Sequence, residues 1–218
     1  MSSVSNLTIP EEDARSIVRI LADVAGVEGG HEEKKQLLMD GLCSLVDGDF
    51  WAWGLAADYV PGEGAIYTSI MTGGLEEEQI PRLLLALGVP DLDEVMGPLG
   101  KEIGETGKHA TRLPRDYDPD NVFGRDGVRQ LWADSGIGAP LVCYRPVTNN
   151  CLSGIGIFRK ADRHPFTYRE EKIADLILSE VVWLHEQGWP WESAMKVPQL
   201  PNRCRLALNF LLEGLPRK

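Results

Sequence analysis

No apolar run in this chain approaches the ~20 residues that a membrane-spanning helix needs. The opening stretch, MSSVSNLTIPEED, also lacks the basic-then-apolar layout of a secretory signal. A cytoplasmic protein without membrane contact is therefore expected. Cysteine is scarce and scattered: Cys43, Cys143, Cys151 and Cys204 form no CxxC pair and sit in apolar segments, which excludes a zinc ribbon and predicts buried, reduced thiols. Positive charge is also short, with 22 Lys and Arg against 33 Asp and Glu, a net charge of −11. A surface this acidic repels phosphate backbones, so the chain as it stands is a poor nucleic-acid binder. There is no GxSxG, no phosphate-cradling glycine loop and no HExxH, and the four histidines, His31, His109, His164 and His185, fall in four separate segments. No catalytic group, metal site or cofactor is expected from these patterns. For each histidine an exposed or helix-terminal role is the simpler expectation.

What is present is ordinary globular material, 43% hydrophobic and 25% charged. Thr8 and Glu11 have capping-box spacing, and Ile17, Ile20, Leu21 and Val24 then predict a first helix ending at Gly26. A second helix is expected from His31 to Val46 on the stripe Leu38, Gly41, Leu42 and Leu45. FWAWGLAADYV, a PGEG turn and AIYTSIMTG read as a hairpin. Glu76, Glu77 and Glu78 should open a third helix carrying Ile80, Leu83, Leu84 and Leu87. The stretch 90–138 reads as an irregular crossover with a helical turn or two near DGVRQLWADSG. APLVCYRPV, TNN and CLSGIGIFRK form a second hairpin, and a capping box from Thr167 to Glu170 opens a long closing helix. That helix has a wide stripe, Ile173, Leu176, Ile177, Val181 and Leu184, broadened by Leu178, Val182 and Trp183, which calls for two packing partners. Two hairpins separated by helices give an α+β class, an antiparallel sheet with helices packed on it. Three prolines then mark a linker, and LPNRCRLALNFLLEGLPRK closes the sequence with an apolar helix pattern.

Two groups of residues are worth testing for binding. Asp116, Asp118 and Asp120 match the first ligands of a calcium loop, but Asn121 stands where the sharp turn needs glycine, and Gly127 where a bidentate glutamate is needed. A solvated acidic loop is the simpler expectation. The aromatics Trp51, Trp53, Tyr67, Trp132 and Tyr144 could fill a core or wall a small-molecule pocket, with Trp51 and Trp53 on one face by strand parity. Arg112 and Arg115 could face an anionic ligand or pair with carboxylates. Those five aromatics and Arg112 are the ligand-binding candidates.

SGIGIFRKADRHPFTYREEKIADLILSEVVWLH resembles the end of a GAF-type sensory domain, with a glycine-rich last strand, a Pro-Phe-Thr turn and a long closing helix; LWADSGIGAPLVCYRPV fits the strand before it. The terminal stretch resembles the opening of a LuxR-type helix-turn-helix domain at Leu200, Pro201, Arg203, Leu206, Leu212, Glu213, Gly214 and Leu215. Together these cover roughly a third of the chain and stand in the family's order, sensor before DNA reader. The resemblance implies a GAF/PAS-like sensory and dimerisation domain at 1–188, a linker at 189–199 and, at 200–218, the first helix of a helix-turn-helix domain that stops short of its recognition helix. It further implies a transcriptional regulator without chemistry of its own, a homodimer, an unknown small-molecule ligand, and contact with DNA only through the missing helices. The alternatives are a protein-interaction domain with no ligand, an enzyme on the same scaffold, and redox sensing through Cys143 or Cys151, which apolar strands disfavour.

Overall fold

Along the first strand large and small residues alternate, and that alternation decides how the molecule is layered. The computed structural model of the chain describes residues 9–60, 64–87, 90–134, 136–138, 140–147 and 151–189. Two helices, α1 (Glu11–Gly26) and α2 (His31–Leu45), lead into the hairpin β1 (Phe50–Val60) and β2 (Gly64–Gly73). Then come α3 (Gln79–Leu87), α4 (Pro90–Thr106), β3 (Ala110–Arg112), α5 (Pro114–Tyr117), a 3-10 turn (Val122–Gly124) and α6 (Asp126–Asp134). The hairpin β4 (Leu141–Pro146) and β5 (Leu152–Phe158) follows, and α7 (Tyr168–Glu180) with α8 (Val182–His185) closes the described chain. The five strands form one antiparallel sheet in the order β2-β1-β5-β4-β3. The class is the expected α+β, in a GAF-like arrangement.

Trp51, Trp53 and Leu55 point to one face with their register partners Ile157, Ile155 and Ser153, and there they meet α2, α7 and, behind these, α1. Ala52, Gly54 and Ala56 point to the other face, where α3, α4 and α6 build a second core around Leu83, Leu99, Ile103, Trp132 and Phe158. The wide stripe of the closing helix finds both its partners inside the chain, the sheet and α1. At its start the Glu170 carboxylate accepts the Thr167 amide at 2.6 Å, the expected capping box.

The segment 90–138 departs from expectation. It is not an irregular crossover but contains a 17-residue helix, the edge strand β3 and α6. Val95, Leu99 and Ile103, one helical turn apart, bury the inner face of α4 in spite of its glycines and Pro98. Three further expectations shift. Glu76, Glu77 and Glu78 precede α3 rather than forming its first turn, and the Glu76 amide is capped by the Gln79 side chain at 2.9 Å. The first helix starts after Pro10, while Thr8 lies outside the described residues. The closing helix is interrupted at Val181, because the Leu178 carbonyl, which a continuous helix would offer four residues on, takes the His185 ring instead. Trp189, where the linker was expected to begin, is buried in the first core and donates its indole N–H to the His185 carbonyl at 2.8 Å. The helix-turn-helix positions Leu200, Arg203, Leu206, Leu212, Glu213, Gly214 and Leu215 lie outside the described residues.

Candidate functional site

The sheet separates the six candidate ligand residues into two groups. Trp51 and Trp53 share a face, as strand parity predicts, and both are buried there. Their indole N–H groups are used internally, by Asp40 Oδ1 at 2.8 Å and Ser153 Oγ at 2.8 Å. Tyr67, Trp132 and Tyr144 belong to the opposite core. Arg112 points to that second side as well, at its rim, where it is paired with Glu102 at 2.8 Å.

The second face has a floor of small residues. Gly54 and Gly154 are direct register partners on the two central strands. A β-carbon on Gly54 would lie 2.6 Å from the Tyr67 ring, and one on Gly154 would lie 2.8 Å from the Tyr144 ring. Only glycine lets the two tyrosines lie flat on the sheet from its neighbouring strands. Above them Trp132 stacks on Phe158 with 6.1 Å between ring centroids, and Phe123 meets Trp132 edge-on at 5.0 Å.

Beside this aromatic group a cleft of about 250 Å³ opens between α4 and the α5 region. Val95, Leu99, Tyr117 and Val122 supply apolar wall, and Glu94, Glu102, Arg112, Asp116 and Asp120 supply charge. Its two long carboxylates are committed: Glu94 pairs with Arg125 at 2.9 Å, which holds its carboxyl below the usual range, and Glu102 pairs with Arg112. The Tyr117 hydroxyl donates to the Pro140 carbonyl at 2.6 Å and is pushed well up by burial. Of the three loop aspartates, Asp118 accepts the amides of Val122 and Phe123 at 2.7 and 3.1 Å, so it caps the 3-10 turn. Among the described residues no three His, Cys, Asp or Glu side chains gather in a way that could hold a metal. Arg115 stacks 4.0 Å from the Tyr168 ring and is directed away from any bound anion.

The first face holds polar groups that local sequence patterns did not bring together. Burial lowers the His185 pKa from 6.5 to about 3, so its ring is neutral. Its Nε2–H donates to the Leu178 carbonyl at 3.0 Å, which leaves Nδ1 to accept from the Ser153 hydroxyl at 2.8 Å. Ser153 in turn accepts from Trp53, and Trp53 is covered by the Lys35 ammonium at 4.7 Å from the ring centroid. Lys35 is itself buried and donates to the Gln187 carbonyl at 2.9 Å; burial lowers its pKa from 10.5 to about 8. Nearby, His109 Nε2 lies 3.1 Å from Asp175 Oδ1 and Nδ1 lies 3.6 Å from Cys143 Sγ, and its ring meets that of His185 at 6.5 Å. The histidines expected to be separate and exposed therefore include two that converge in the core.

Cysteine, histidine and aspartate in that order have the composition of a thiol hydrolase. The chemistry is withheld, because Cys143 is fully buried and burial pushes its thiol well above the ordinary value. Cys43 is pushed up to about 12 for the same reason, aided by Asp49.

No protein-family model matches the chain, and no curated protein matches it in sequence. Solved structures do match in fold. The ligand-binding domain of VqsR from Pseudomonas aeruginosa aligns with a TM-score of 0.53 at 13% identity, over 81% of this chain and 95% of that one. SdiA from Escherichia coli aligns at 0.53 and 14%, over 93% of this chain and 80% of its own. A second structure of SdiA, in complex with octanoyl-rac-glycerol, aligns at 0.54 and 15%, over 96% and 80%. The described chain therefore has the fold of these ligand-binding proteins. No helix among the described residues is long and apolar enough to cross a membrane.

Proposed function

We propose that this chain is the sensory and dimerisation portion of a LuxR-type transcriptional regulator, acting in the cytoplasm as a homodimer and doing no chemistry of its own. A small molecule with an apolar tail would enter the second core, between the Tyr67 and Tyr144 rings on the sheet and the helices α3, α4 and α6, with Trp132 and Arg112 at its border. Binding there would bias the placement of a DNA-reading domain joined beyond Trp189. The observation that carries this reading is the fold: it is shared over most of both chains with a ligand-binding domain and with a protein solved with an acylglycerol bound. The LuxR-like residues between Leu200 and Leu215 support the second half of the reading.

One observation favours a domain that binds a protein partner without a small ligand. The cleft of about 250 Å³ is small for a drug-sized molecule, for which pockets of roughly 300–1,000 Å³ are usual. Thermal unfolding of the chain with octanoyl-rac-glycerol and a graded panel of neutral amphiphiles separates the two. A saturable rise in Tm, weakened by Trp132→Ala, supports the sensor; no shift and no change in tryptophan fluorescence across the panel favours the interaction domain.

A further inference from the structure

The sheet has two edges, and they are treated differently. On the β3 side the edge strand is three residues long and α7 packs against it. On the β2 side the edge strand runs for ten residues and, among the described residues, pairs with β1 alone.

The sequence of β2, GAIYTSIMTG, contains no charged residue and no proline, the two side-chain devices that most often protect an edge from pairing. Residues 69–73 are half-buried along their whole length, whereas their partners on β1 from Trp51 to Leu55 are buried. A shift in register between Leu55 and Ala56 marks where regular pairing ends, so the regular stretch of edge is Ser69 to Gly73.

Charge narrows the choice of partner. With a net charge of −11, two copies of the chain repel each other over most of their surface, and an uncharged strand edge is a place where they can approach. The helical stripe that the sequence offered for a second subunit is consumed within the chain by the sheet and α1. An antiparallel strand pair is its own complement under a two-fold axis, which makes a second copy the partner that fits without further adaptation.

We propose that the β2 edges of two copies pair antiparallel along Ser69 to Gly73, joining two five-stranded sheets into one continuous sheet. The proposal rests on the homodimer reading given above and assigns its interface. Because β2 also carries one wall of the second core, this interface puts the two candidate ligand sites side by side across the axis.

Sedimentation equilibrium of the full chain tests it, with Ser69→Lys/Thr72→Lys and Ser69→Asp/Thr72→Asp compared with wild type. The expected result is a wild-type dimer, a dimerisation constant at least about tenfold weaker in each variant, and recovery when the two variants are mixed, since like charges across a strand pair repel and opposite charges attract. An unchanged circular dichroism spectrum shows that the variants fold; if the double variants lower Tm, Thr72→Lys and Thr72→Asp alone are compared in the same way. A wild-type dimer that both charge variants leave intact overturns the edge assignment but not the dimer. A chain that stays monomeric at every concentration overturns both.

Discussion

Ser153 Oγ stands 2.8 Å from His185 Nδ1 and 2.8 Å from Trp53 Nε1, so one buried hydroxyl satisfies an acceptor on the closing helix and a donor on the first strand. Ser153→Ala removes both partners at once and leaves the Trp53 N–H in a site closed to water. An unsatisfied buried donor costs about 1–3 kcal/mol. Urea denaturation should show a loss of that size with an unchanged m-value; a variant as stable as wild type would mean that water reaches the site.

His185 makes the fold sensitive to acid. Its folded pKa lies below its unfolded one, so its contribution is complete above pH 6.5 and is lost as pH falls toward about 3. Over that window the unfolded chain holds a proton that the folded chain refuses, and stability should fall by up to ~1.4 kcal/mol per pH unit from this group. His185→Gln, less stable at neutral pH, should show a flatter profile between those limits. Parallel profiles for the two proteins would show that His185 is solvated.

The paired glycines of the central strands give a third test. In Gly154→Ala the new methyl would stand 2.8 Å from the Tyr144 ring. Overpacking of this kind costs about 1–3 kcal/mol and outweighs the roughly 0.4–1 kcal/mol gained by stiffening the unfolded chain. The penalty belongs to the ring, so the same substitution in a Tyr144→Ala background should cost much less. Equal penalties in the two backgrounds would place the strain in the backbone.

The elements read correctly from sequence were those in which periodicity and punctuation agreed. Thr167 and Glu170 announced α7, and the TNN turn divided two alternating runs into β4 and β5. In α4 the two signals conflicted: Val95, Leu99 and Ile103 repeat at helical spacing, yet Gly97, Pro98, Gly100 and Gly104 lie between them. Tertiary burial of one face decided in favour of a helix, which propensity alone could not. β3 has three residues, too few for any period to register. For the site, parity placed Trp51 and Trp53 together, but it could not show that Tyr67 and Tyr144 lie across the sheet from them, since that depends on the register between strands. His185 had one visible signal. It follows Val181 by four residues and Leu178 by seven, which puts it on the buried stripe rather than at an exposed helix end. Its meeting with His109, 76 positions earlier in sequence, had none.

Arg159 tests how the two hairpins and the closing helix are held together. Its guanidinium donates to the carbonyls of Val46, Asp47, His164 and Pro165 at 2.8–3.2 Å and to Glu170 at 2.6 Å, and it lies 4.2 Å from the Phe166 ring centroid. One side chain thus joins the turn after α2, the end of β5 and the cap of α7. Arg159→Met keeps much of the volume but leaves Glu170 buried without its cation and four carbonyls without donors, and breaking a buried pair from one side costs about 3–5 kcal/mol. Arg15→Met removes an exposed pair with Glu11 on α1 and should change stability too little to measure. Arg159→Met/Glu170→Met removes both charges and should recover part of the loss, since the penalty comes from the orphaned carboxylate more than from the lost attraction. If the double variant is no more stable than Arg159→Met, the carbonyl contacts, and not the ion pair, hold the three elements together.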